Sequence, residues 1–364
     1  MKASCLPHCS ALLLLLACGR ETRTPPASPA GACGAPSSCE PDGTGGASAG
    51  GVSSGGDSAT AGGSESSGSA GVAAVGGEAG SGPVGCPEGN EAAPSRWATW
   101  PMPHPAESAL SPAASYDTTK PGVVLDQVTG LMWQREAPAA TGFAQGEGAC
   151  TALELGGYCD WRLPSRIELV SLVDFTRTPT ALDAAFPSAV GEFWSTSRLG
   201  NNRWRVGADG ATRVSSETMA PSAIPRCVRV HAPHATELRY EVGGESPNDW
   251  VKDHGTGLTW QRRVGSGTFS FAAAQQHCAA WAGGGYRVPS MKELQTLLDE
   301  SKSAAPLVDT EAFPDYPTTL NVTFWTSSVS ASTPGHAWFV RGASTLNAAV
   351  DAGVEAEFYV RCVR

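Results

Sequence analysis

Cysteine offers the most chemistry in this 364-residue sequence, which contains 11 of them. Grouped as Cys-x-x-Cys they bind zinc, and paired outside a reducing cytosol they form crosslinks. No Cys-x-x-Cys occurs, and beyond residue 17 the nearest approach to a mixed ligand set is His277 beside Cys278, so no metal is expected. Carboxylates come next. Pro164-Ser165-Arg166-Ile167-Glu168 and Pro289-Ser290-Met291-Lys292-Glu293 both place Glu three residues after Ser. That is capping-box spacing, in which hydroxyl and carboxylate satisfy opposite backbone N–H groups, so Glu168 and Glu293 are expected to cap helices rather than transfer protons. Asp126 and Asp253 precede a Thr-Gly pair and are expected to brace turns. Asp174 and Asp299 follow the capped helices and are read as solvated acids. Beyond residue 95 there is no Gly-x-Ser-x-Gly elbow, Walker loop or His-Glu-x-x-His. No catalytic residue and no cofactor are therefore expected.

Arginine supplies one candidate site. Arg198, Arg203, Arg205 and Arg213 crowd sixteen residues that hold a single acid, Asp209. If a hairpin turns at Asp209-Gly210, then Arg203, Arg205 and Arg213 share one face, because strand side chains alternate. Guanidinium forks grip sulfate or carboxylate in two places, so this face is a candidate for an acidic glycan. The formal net charge of −10 argues against nucleic acid as a partner, since such binding releases counterions from a basic surface.

The amino terminus reads as an address. Residues 1–17 carry Lys2 and an apolar run at 11–17, too short to cross a bilayer and suited to a secretory signal. Leu15-Leu16-Ala17-Cys18 resembles a bacterial lipobox, which implies cleavage before Cys18 and its lipidation. Residues 18–95 lack Phe, Trp and Tyr, and 18 of the 43 glycines fall between Gly31 and Gly85. Such a composition buries too little apolar surface to offset chain entropy, so a disordered tether is expected.

The remainder is duplicated. Residues 123–136 align without gaps on 250–263 with eight identities in fourteen, and 161–174 align on 286–299 with seven in fourteen. Ala185-Phe186-Pro187 recurs at Ala312-Phe313-Pro314, and Phe193-Trp194-Ser195-Thr196-Ser197 at Phe324-Trp325-Thr326-Ser327-Ser328. Both copies end in Arg-Cys-Val-Arg, at 226–229 and 361–364. Two domains, 96–231 and 236–364, are therefore expected. Each should contain strands at 123–125 and 131–134 about a Thr-Gly turn, a helix (capped by Ser270 in the second copy), the capped second helix, and short strands at 193–196, 202–206, 211–214 and 227–230 by first-copy numbers. The class is α+β. The paired Trp133/Trp260, Trp194/Trp325 and Trp204/Trp338 are expected in the core, and Trp97, Trp100, Trp250 and Trp281 nearer the surface.

These blocks resemble the Lcl carboxy-terminal domain family of bacterial surface proteins, whose pattern runs Thr-Gly-Leu-x-Trp, a helix with Cys, Trp-Arg-Leu-Pro-Ser-x-x-Glu-Leu, Phe-Trp-Ser-x-Ser and a terminal Arg-Cys-Val. More distantly the layout is similar to the C-type lectin-like and formylglycine-generating-enzyme folds. The resemblance implies two tandem C-type lectin-like domains, each with a bond from the helical Cys to the final strand. The repeat agrees, for Cys150 and Cys278 are equivalent, as are Cys227 and Cys362, and the second copy has no other Cys. Cys150–Cys227 and Cys278–Cys362 are thus expected, with Cys86–Cys159 and Cys33–Cys39 as pairings of the remainder. The lectin calcium signature is absent from both copies. The function expected is a lipid-anchored cell-envelope protein, held by its lipid at a bacterial membrane (outer membrane or cell surface favoured). It would display two non-catalytic, adhesin-like domains for a glycan or an envelope protein. A structural or assembly component of the envelope and a polysaccharide-modifying enzyme are the alternatives.

Overall fold

Each copy opens with a hairpin that a single aspartate folds. In a computed structural model describing residues 96–178, 180–187, 190–216, 222–230, 238–302, 306–316, 322–341 and 350–364, β1 (Tyr116–Asp117), β2 (Val123–Asp126) and β3 (Leu131–Gln134) pair antiparallel. Between β2 and β3, Asp126 Oδ1 accepts the N–H groups of Val128 at 2.9 Å and Thr129 at 3.3 Å. Gly130 then takes φ 67°, a conformation that a Cβ would strain. The expected signal and tether, with Cys18, Cys33, Cys39 and Cys86, lie outside the described residues.

The chain continues through α1 (Phe143–Thr151) and α2 (Arg166–Leu172) into a three-stranded meander. Its strands are β4 (Glu192–Leu199), β5 (Asn202–Gly207) and β6 (Thr212–Ser215), with a bulge between Trp194 and Arg198. Last, β7 (Val228–Val230) returns to pair with β3, giving the order β1-β2-β3-β7. The second copy repeats this plan. It has β8 (Tyr240–Gly243), β9 (Trp250–Asp253), β10 (Thr259–Gln261), α3 (Phe271–Ala280), α4 (Met291–Gln295), β11 (Thr323–Val329), β12 (His336–Arg341) and β13 (Val350–Gly353). Asp253 and Gly257, at φ 76°, rebuild the same turn. The chain end lies on β10 through the bridge Trp260–Val363, where the first copy has β7. The α+β class and the duplication follow the sequence reading. Among the described residues no helix is long and apolar enough to cross a membrane.

The recurring motifs are internal fasteners. Both capping boxes form, with Glu168 and Glu293 each accepting the Ser backbone N–H at 2.7 Å. Arg162 and Arg287 then clasp those same carboxylates with two hydrogen bonds each. Arg226 and Arg361, both fully buried, donate to the carbonyls of Gln134 and Arg135 and of Gln261 and Arg262 respectively, at 2.6–2.8 Å. The terminal Arg-Cys-Val block is thereby sewn to the Trp-Gln-Arg block. Trp194 and Trp325 donate their ring N–H to the carbonyls of Thr141 and Phe269. Five of the six paired Trp are fully buried, and Trp338 is half-buried. Trp100 corrects the surface expectation: it is 2% exposed, in a core cluster with Ala98 and Met102. Trp97, Trp250 and Trp281 are half-buried rather than displayed.

Two small clusters each surround one disulfide, Cys150–Cys227 and Cys278–Cys362, as the equivalent positions implied. Cys159 is disulfide-bonded as well, and its expected partner Cys86 lies outside the described residues. A third cluster is common to both copies, with Val124, Trp133, Leu169 and Trp204 joined to Trp260, Leu294, Phe313 and Phe324. The two copies therefore share one core. The Cys278–Cys362 bridge spans 84 residues, and closing a loop of that length restricts the unfolded chain by roughly 4 kcal/mol. Urea unfolding of the chain carrying both Cys278→Ala and Cys362→Ala should show a loss of that order; an unchanged midpoint would mean the bridge adds nothing.

Candidate functional site

The four arginines singled out in the sequence do gather on the β4-β5-β6 meander. Arg198 pairs with Arg203 and Arg205 with Arg213 in register, so the expected common face exists. Its charge, however, is met by acids. Glu192 contacts both Arg205 and Arg213, and Asp209 takes Arg213 at 2.9 Å. Arg203 is 6% exposed, its guanidinium stacked 3.3 Å over the Phe143 ring. Arg198 stands exposed at the end of β4. Among the described residues no group of three or more His, Cys, Asp or Glu is placed to hold a metal ion. Asp174 and Asp299 each turn onto the N–H two residues ahead, at 2.9 Å.

The more unusual chemistry lies where α2 and α4 meet. Arg166 is fully buried there, and its guanidinium donates to Gln295 Oε1 at 2.8 Å, the Gln295 carbonyl at 3.1 Å and Glu300 Oε1 at 3.0 Å. Glu300 reaches from the second copy to take the Ile167 N–H at 3.2 Å and the Ser197 hydroxyl. Burial pushes the Glu300 carboxyl up to about 7, against the pull of Arg166. From the other side, Lys292 of α4 donates to the carbonyls of Pro103 at 2.7 Å and Ser171 at 2.9 Å. Burial brings its ammonium down to about 8, against Asp126 and Asp174.

Two clefts flank this junction. One, of about 510 Å³, lies between residues 104–110, Phe175 and the second copy's α4 and β11. Its walls combine the aromatic Phe175 and Tyr286 with Arg287, Lys292 and Ser328. The other, of about 600 Å³, shares Pro105, Glu107, Thr176 and Lys292 with it and adds Tyr116, Asp174 and Asp183. Both fall in the size range of small-ligand pockets. Sequence reading passed over Lys292, Phe175, His104 and Ser328. The signal available was where the copies differ: Ile167 against Lys292, and Phe175 against Glu300.

Glu293 is bound by two residues that line the first cleft, Arg287 and His104. Burial alone would raise its carboxyl, but the hydrogen bonds from Arg287 and from His104 (3.5 Å away) outweigh it and hold the group at about 2. A carboxyl depressed from 4.5 contributes stability that is present above its ordinary range and is lost as pH falls from about 4.5 to about 2. The shift corresponds to about 3 kcal/mol. Glu293→Gln should therefore lower stability at pH 7 and flatten the acid limb between pH 4.5 and 2. Parallel acid limbs in wild type and variant would contradict an ionised Glu293 in this network.

No curated protein sequence matches the chain. The model of the Lcl C-terminal domain matches twice, over residues 122–229 and 249–364. Each stretch runs from the opening hairpin to the Arg-Cys-Val strand, and together they cover more than half of the sequence. This chain belongs to the Lcl C-terminal domain family and contains two tandem copies of that domain.

Proposed function

We propose that this chain is a lipid-anchored protein of the bacterial cell envelope, whose paired Lcl domains form a non-catalytic head that binds a saccharide. The observation carrying this reading is the 510 Å³ cleft at the junction of the copies, where aromatic carbon from Phe175 and Tyr286 stands beside hydroxyl and cationic groups. Sugar rings present apolar faces edged with hydroxyls, and a pocket of mixed apolar and polar lining suits them. The lipobox-like Leu15-Leu16-Ala17-Cys18 and the Gly/Ser/Ala-rich stretch after it support an anchor and spacer. The two disulfides support residence outside the cytosol.

Two measurements test this. In a bacterial host the full chain should incorporate labelled palmitate and sediment with membranes, and Cys18→Ala should abolish both; a soluble, unlabelled wild-type chain would remove the anchor. The purified chain should bind a subset of an envelope-glycan array. A blank array together with a stable protein partner after mild crosslinking would replace the saccharide head with an assembly role.

A further inference from the structure

The duplication supplies an internal control for the first cleft. In the first copy, Ser197 Oγ accepts the Arg166 N–H at 2.8 Å and passes its own hydrogen to the Glu300 carboxylate. In the second copy, Ser328 Oγ accepts the Met291 N–H at 3.0 Å, which is the same bond at the equivalent positions. There the match ends. By the alignment of 161–174 on 286–299, continued one residue, the position of Glu300 is Phe175 in the first copy. Phe175 has no carboxylate to offer; it packs edge-on against Trp338 at 5.4 Å and forms a wall of the cleft. Among the described residues nothing accepts the Ser328 hydroxyl hydrogen, and Ser328 lines the cleft.

We infer that this cleft seats the carboxylate of an acidic ligand at Ser328, the place equivalent to the one where the first copy holds the Glu300 carboxylate at Ser197. The charge nearby fits. Lys292 and Arg287 both line the cleft. The Lys292 ammonium has two carbonyl acceptors and three hydrogens, leaving one to donate. Arg287 is partly exposed while it clasps Glu293. The rest of the ligand would lie along Phe175, Tyr286 and Val329. The inference rests on the proposed function only in taking this cleft as the binding surface. Its chemistry, a carboxylate on a body with apolar faces, is shared by a uronic acid and by a peptide terminus.

Isothermal titration of the full chain with three probes separates the possibilities: a glucuronate-containing disaccharide, its methyl ester, and an N-acetylated dipeptide with a free carboxyl terminus. The disaccharide should bind, and the ester should bind at least about tenfold more weakly, as expected for losing a charged hydrogen-bonded partner. Ser328→Ala should weaken the acid by about tenfold and leave the ester unchanged. Phe175→Glu should abolish acid binding by supplying a carboxylate from within, while Phe175→Leu retains it; thermal melting checks that each variant folds. Binding of the dipeptide alone, dependent on Ser328, would uphold the carboxylate seat and overturn the saccharide reading. Equal binding of acid and ester would overturn the seat and leave that reading standing. No binding by any probe, or acid binding indifferent to Ser328→Ala, overturns the inference.

Discussion

A buried carboxylate of one copy, satisfied by groups of the other, fixes how the two halves of this protein meet. Glu300 finds its hydrogen bonds on Arg166, Ile167 and Ser197. Taking such a pair out of water is costly, and its attraction repays that cost only with good geometry and full hydrogen bonding. Misplacing the copies by an ångström or two would strand a charge, so the junction tolerates few alternatives. Around it the shared hydrophobic cluster supplies non-directional cohesion, and the polar bonds select one arrangement from those that cohesion would allow.

The duplicated motifs and the unduplicated residues thus do different work. Positions identical in both copies, such as Arg226/Arg361, Arg162/Arg287 and Asp126/Asp253, hold each domain together from within. Positions that diverged (Arg166/Met291, Ile167/Lys292, Phe175/Glu300) meet across the junction. Two equal domains placed back to back would have equal junctions on both sides. Divergence at three positions filled one side with an ion pair and left the other as a cleft.

How far this was legible follows from the range of the interactions. Hairpin turns and capping boxes are fixed within four residues, and the strands and helices they bound appear close to where the local pattern put them. The disulfides were legible because duplication made the two pairs equivalent. Trp100 was misjudged because it lacks a counterpart, and it is buried in the core cluster that draws on both copies, which no local pattern encodes. The arginine face was read correctly as a face. Its neutralisation by Glu192 was not, because that acid enters through the pairing of β4 with β5 from just outside the stretch considered.

The segment entering the described structure at residue 96 has a mechanical consequence. Ala98, Trp100 and Met102 are embedded in the shared core, and the Pro103 carbonyl is held by Lys292 of the second copy. A pull on the chain from its amino-terminal side is therefore received where the copies join rather than by one copy's outer strands. The covalent bridges withhold spans of 77 and 84 residues from extension, so a stretched molecule lengthens only in what lies outside them.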